Sequence, residues 1–138
     1  MKIKETLMSR SLTTSNNDPY LFSLQVMEEL SKSAKVVEKK NIYETDGPHH
    51  RSTVVFDAIE LVDDFSKIIF RFNLLGENGL VRAGVSGSLS LNIEETGFFS
   101  QIFTDYYVKI VFPLLRKISE EKIAFFGEKV DALFGAGG

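Results

Sequence analysis

The chain contains no cysteine. That excludes a disulfide scaffold and thiolate zinc sites, and it points to a reducing, cytoplasmic compartment. Positive charge is not in surplus either: 16 Lys and Arg stand against 19 Asp and Glu, for a net charge of −3. Neutralising phosphates takes an excess of Lys and Arg, so no nucleic-acid partner is expected. Long hydrophobic runs are missing. The most apolar window, 97–115, is interrupted by Asp105, Lys109 and Pro113, which predicts a buried helix and no membrane span. Met1-Lys2-Ile3-Lys4-Glu5-Thr6 has no apolar stretch of the kind a secretory leader needs. What is there is an ordinary globular composition, 43% hydrophobic and 25% charged over 138 residues. That suffices for one domain with a real core. Residues 1–134 are expected to form it, with Gly135-Ala136-Gly137-Gly138 as a disordered tail.

The order of elements follows from period and punctuation. Residues 2–12 read as a first strand and 13–17 as a loop. Asp18-Pro19 opens a helix to about Ser33, because a carboxylate accepts the orphan amides and proline presets φ at the first position. Tyr20, Leu24, Met27 and Leu30 are expected on its apolar side, with Val26 nearby. Residues 35–45 carry Glu38, Lys39 and Lys40 in mid-strand, which suits a sheet edge. Asp46-Gly47-Pro48, Asp63-Asp64 and Gly76-Glu77-Asn78-Gly79 are turns separating strands at 52–62, 65–75 and 80–93. In the last of these, Val81, Ala83, Val85, Leu89 and Leu91 alternate with Arg82, Gly84, Ser86, Ser88 and Ser90, a period of two with one dry face. Gly87 stands on that dry face and permits a bend or a close approach. Short connections between four consecutive strands predict an antiparallel meander. Residues 97–134 read as a helix with Thr96 as cap, kinked near 109–112 by Pro113 because proline removes one ladder bond and crowds the preceding turn.

These pieces predict an α+β fold: a curved antiparallel sheet in the order β-α-β-β-β-β-α, its first strand beside its last, gripping a long C-terminal helix. With Asp18-Pro19 opening the first helix, Val81 to Ile93 as the last strand and Gly97 onward as the final helix, the pattern resembles the helix-grip architecture of the START / Bet v 1-like superfamily. The resemblance implies an apolar molecule or lipid held between sheet and helix; some members of that superfamily are cyclases. It lends no residue by identity, and four strands after one helix imply a shallow cup.

Phe70 and Phe72 are expected to face Phe99, Phe103 and Tyr106. Phe70, Phe72, Val85, Leu89, Phe103, Tyr106, Tyr107 and Ile110 are then the expected lining of an apolar ligand site, with Tyr43, Tyr106 and Tyr107 as polar handles. The alternative is that these side chains fill the space themselves, leaving a non-enzymatic interaction module. Phe112 falls on the polar side with Asp105, Lys109 and Arg116, where it would seat a partner or form a homodimer through the C-terminal helix; a kink would equally turn it inward. No metal, cofactor or catalytic residue is assigned. His49-His50 point oppositely in a strand. Asp63-Asp64 and Glu94-Glu95 sit side by side rather than across a cleft, and Ser86, Ser88 and Ser90 lack a base.

Overall fold

A computed structural model describes residues 1–15, 18–94 and 97–137. β1 (Lys2–Ser15) is followed by α1 (Pro19–Ser31), then β2 (Lys35–Asp46), β3 (His49–Leu61), β4 (Ser66–Glu77) and β5 (Leu80–Asn92). The C-terminal helix has three parts: α2 (Phe98–Tyr106), a π-helical turn (Tyr107–Val111) and α3 (Phe112–Gly137). All pairings are antiparallel and the strand order is β1-β5-β4-β3-β2. The meander and the closure of β1 on β5 are those the sequence predicts. The α+β helix-grip class is therefore that of this chain: one five-stranded sheet, open at both edges, against a long terminal helix.

Local chemistry accounts for the elements. The Asp18 carboxylate accepts the Leu21 amide at 3.1 Å with Pro19 behind it, which starts α1. The β4–β5 hairpin turns on Asn78 and Gly79 at φ 53° and 77°, the two positive-φ positions of a tight hairpin; Gly76 and Glu77 belong to β4. β2 is an edge strand, with a register shift between Glu38 and Lys40 that kinks its charged centre. Thr13, Thr14 and Ser15 extend β1 instead of entering a loop, while Asn16 and Asn17 lie outside the described residues. So do Glu95 and Thr96, including the expected cap. α3 carries residues 135–137, where a disordered tail was expected; Gly138 is not described.

The inner face of the sheet is apolar along every central strand. Val54, Phe56, Ala58, Ile68, Phe70, Phe72, Leu74, Val81, Ala83 and Val85 are buried against Phe22, Val26 and Leu30 of α1 and Ile123, Phe126, Val130 and Phe134 of α3. A second cluster joins Leu89, Leu91 and Ile93 to Tyr107 and Phe112. The side of α1 that faces the sheet is thus Phe22, Val26 and Leu30, whereas Tyr20 and Leu24 are exposed. Both sets keep helical spacing; contact with the sheet selects between them.

Candidate functional site

The interface between sheet and helix is where an apolar ligand was expected, and side chains occupy it. Phe70 meets Phe126 with ring centroids 5.7 Å apart, Phe72 meets Phe56 at 5.0 Å, and Phe22 meets Phe134 at 5.0 Å. At Gly87 the helix lies directly on the strand: a Cβ there would collide with the branched side chain of Ile123. Glycine on the dry face of β5 is the close-approach device read from the sequence, and Ile123 is what approaches.

α3 is also tied down along its length. Arg116 pairs with Glu5 of β1 at 2.8 Å, Lys122 with Glu60 of β3 at 2.5 Å, and Asp131 with Arg10 of β1 at 3.0 Å. Lys129 donates to Ser33 just beyond α1 at 2.9 Å, and Thr14 donates its hydroxyl to the Phe134 carbonyl at 3.1 Å. Each exposed pair contributes little alone. Distributed over nearly twenty residues and three elements, they fix the rotation of the helix about its axis.

The π turn decides which side of the helix meets the sheet. Pro113 has no N–H to offer, and the Phe112 amide bonds to the Tyr107 carbonyl five residues back. The predicted irregularity before Pro113 is therefore a single wide turn. The extra residue puts Tyr107 and Phe112 on the same, inward side. Tyr107 donates its phenol to the Asp63 carboxylate, and Ser66 bridges to the same phenol oxygen at 2.7 Å. Asp63 also accepts the amides of Phe65 and Ser66 at 2.9 and 2.8 Å, so its role is to close the β3–β4 turn and anchor the helix. Burial, followed by the hydrogen bond to Asp63, pushes the Tyr107 phenol up to about 12. The protonated phenol is thus the form the fold favours. Its stabilisation is complete below the ordinary phenol value near 10 and is lost as pH rises toward 12. Denaturant titrations should show wild type losing stability between those pH values. Tyr107→Phe should lack that pH-dependent loss and be weaker by about 1–2 kcal/mol at neutral pH.

The eight expected lining residues divide. Phe70, Phe72, Val85, Leu89 and Tyr107 are buried between sheet and helix. Phe103 reaches them only at the edge: its ring lies 6.0 Å from Tyr107 and 5.3 Å from Phe65, yet it stays 41% exposed. Tyr106 and Ile110 are not brought to them; they are exposed together with Phe99, Ile102, Leu114 and Ile118. Phe99 is 84% exposed. The expectation that Phe99, Phe103 and Tyr106 face Phe70 and Phe72 is corrected: Phe126 and Phe134 take that place. Phe112, for which the sequence left an exposed interface and an inward turn at the kink equally open, takes the inward place: it is 4% exposed and packs with Leu89, Leu91 and Tyr107. The cause in both cases is a helix apolar on more than one side. Phe126 and Phe134 were visible as apolar positions needing burial, but nothing local told that they, rather than the earlier aromatics, would meet the sheet.

Elsewhere, Tyr43 and His50 are stacked and joined at 2.9 Å through the phenol oxygen and Nδ1, both exposed on the β2–β3 hairpin. Asp57 and Arg71 form a two-bond ion pair at 2.7 and 2.9 Å on the outer sheet face. Hydrogen bonding to the guanidinium holds the Asp57 carboxyl below its usual range. A cleft of about 330 Å³ opens beside α3 between Ser33, Glu60, Glu121, Lys122, Phe125 and Phe126. Among the described residues, no helix is long and apolar enough to cross a membrane.

No protein-family model matches the chain, and no curated protein matches it. Among solved structures, the crystal structure of Ara h 8.0201 aligns over 88% of this chain and 98% of that one, at 14% identity and a TM-score of 0.30. The quaternary ammonium Rieske monooxygenase CntA, solved with its substrate L-carnitine, aligns over 89% of this chain but 39% of its own, at 8% identity and a TM-score of 0.24. At these values neither match bears on ligand or chemistry.

Proposed function

We propose that this chain is a non-enzymatic interaction module: a filled helix-grip body that presents one side of its C-terminal helix to a protein partner. One observation carries the reading. The sheet-facing side of the helix is used by the core, yet Ile102, Tyr106, Ile110, Leu114 and Ile118 stand exposed outside it. A contiguous apolar strip on a soluble body marks an interaction site. Catalysis has no support from the interior, where the titratable side chain in the second cluster is a phenol already bonded to Asp63 and Ser66.

A second reading keeps an apolar small molecule or lipid as the partner. What favours it is the cleft beside α3, whose walls include Phe125 and Phe126. An occupant deeper in the cup would have to displace Ile123 from Gly87 and Phe126 from Phe70. Native mass spectrometry of purified protein separates the two readings. The interaction module should show the bare chain mass or its multiples. A stoichiometric apolar adduct, released on denaturation, would overturn it in favour of the small-molecule reading.

A further inference from the structure

We infer that the partner is a second copy of this chain, with the two C-terminal helices packed antiparallel across a two-fold axis at Ile110. The inference rests on the interaction reading above and names its partner. The central exposed side chains are Ile102, Tyr106, Ile110, Leu114 and Ile118. They recur every four residues, so the line reads the same in both directions from Ile110. Reversing the helix about that residue sets Ile102 against Ile118, Tyr106 against Leu114 and Ile110 against itself. Closed two-fold dimers need such self-complementary surfaces.

Length and area are sufficient. From Ile102 to Ile118 the line runs ~24 Å at the helical rise. The seven exposed large apolar side chains from Phe99 to Ile118 offer on the order of 700 Å² per copy, so a pair exceeds the ~1,000 Å² that a stable interface needs.

Charge favours the same arrangement. Along one flank of the apolar line run Gln101, Asp105, Lys109, Pro113 and Lys117, all exposed. In an antiparallel pair, equivalent flanks lie side by side. Asp105 then falls near Lys117 of the second copy, twice by symmetry. Lys109 meets its own equivalent near the axis, with Asp105 one turn away to offset it. A membrane-surface helix has a different flank, dominated by Lys and Arg; here the signs are mixed and the chain is net −3.

Sedimentation at high micromolar concentration should give twice the 15.5 kDa chain mass, and Ile110→Glu should return it to the single mass. Ile110 is 52% exposed, so this variant should keep its circular dichroism and melting temperature in dilute solution. Lys109→Gln should tighten the dimer several-fold by removing the like-charge contact at the axis. Because the chain has no cysteine, orientation is read by cross-linking. Ile102→Cys chains mixed with Ile118→Cys chains should join to each other, in preference to either joining to itself. A single-mass species at all concentrations, including one that binds lipid vesicles, overturns the dimer, as do like-with-like cross-links. Neither result produces the stoichiometric small-molecule adduct that would overturn the interaction reading, so the two failures are distinguishable.

Discussion

Gly87→Ala should destabilise the protein by about 3 kcal/mol, measured as a fall in the denaturant midpoint. The sign is the informative part. In a strand with open space, replacing glycine by alanine usually stabilises, by about 0.5–1 kcal/mol, because the unfolded chain loses freedom. At position 87 the added methyl runs into Ile123. Ile123 is buried, and α3 is held by Arg116 to Glu5 on one side of it and Asp131 to Arg10 on the other, so the helix cannot lift without breaking ion pairs. Ile123→Ala in the same chain should recover part of the loss. The double variant should be more stable than the summed single effects by about 1–2 kcal/mol. An alanine at 87 that is neutral or stabilising would show that helix and strand do not touch there, and the filled-cup description would go with it.

Phe126→Ala should cost about 4 kcal/mol and convert the filled cup into a binding site. The ring lies against Phe70 and beside Phe125, within a cluster that also holds Phe72, Val85 and Val130. Removing it leaves an apolar void whose walls are pinned by the sheet behind and the tethered helix in front. Such a void stays dry and accepts a small aromatic molecule. Benzene or indole should therefore raise the melting temperature of the variant by several degrees, following the ligand linkage relation, while leaving wild type unchanged. The comparison decides between a body that is full and one that merely looks closed. A wild-type chain that gains as much as the variant would place an accessible apolar site between sheet and helix.

Both expectations concern a part of the molecule that was only half legible in the sequence. The sheet half was plain. Val81 to Leu91 keep a period of two, broken only by Gly87 on the dry face, and a strand has only two faces, so burial of one is an unambiguous prediction. Phe70, Phe72, Val85 and Leu89 accordingly lie where their parity puts them. The charged centre of β2 marked an edge, and Gly87 marked a close approach. The helix half was not plain. Between 98 and 118 apolar residues cover more than half the circumference, so several overlapping stripes keep helical spacing and the sequence does not rank them. The stripe through Ile102, Tyr106 and Ile110 is the more regular one, and it is the one left exposed. A π turn adds a residue to the phase, and no local pattern announces whether proline will produce a bend, a break or such a turn.

Taken alone, then, the amino-acid order determined the strands, their antiparallel succession, the cap that begins α1 and the identity of the sheet's dry side. These depend on contacts between near neighbours in the chain and on a period of two. Tertiary structure alone decided the rotation of the last helix, and with it which aromatics fill the core and which stay exposed. That rotation is set by groups far apart in sequence: Tyr107 reaching Asp63 and Ser66, Ile123 seated on Gly87, and Arg116, Lys122 and Asp131 reaching β1 and β3. A helix that is oily on several sides has nearly equal ways to bury itself, and only these long-range contacts lift the degeneracy.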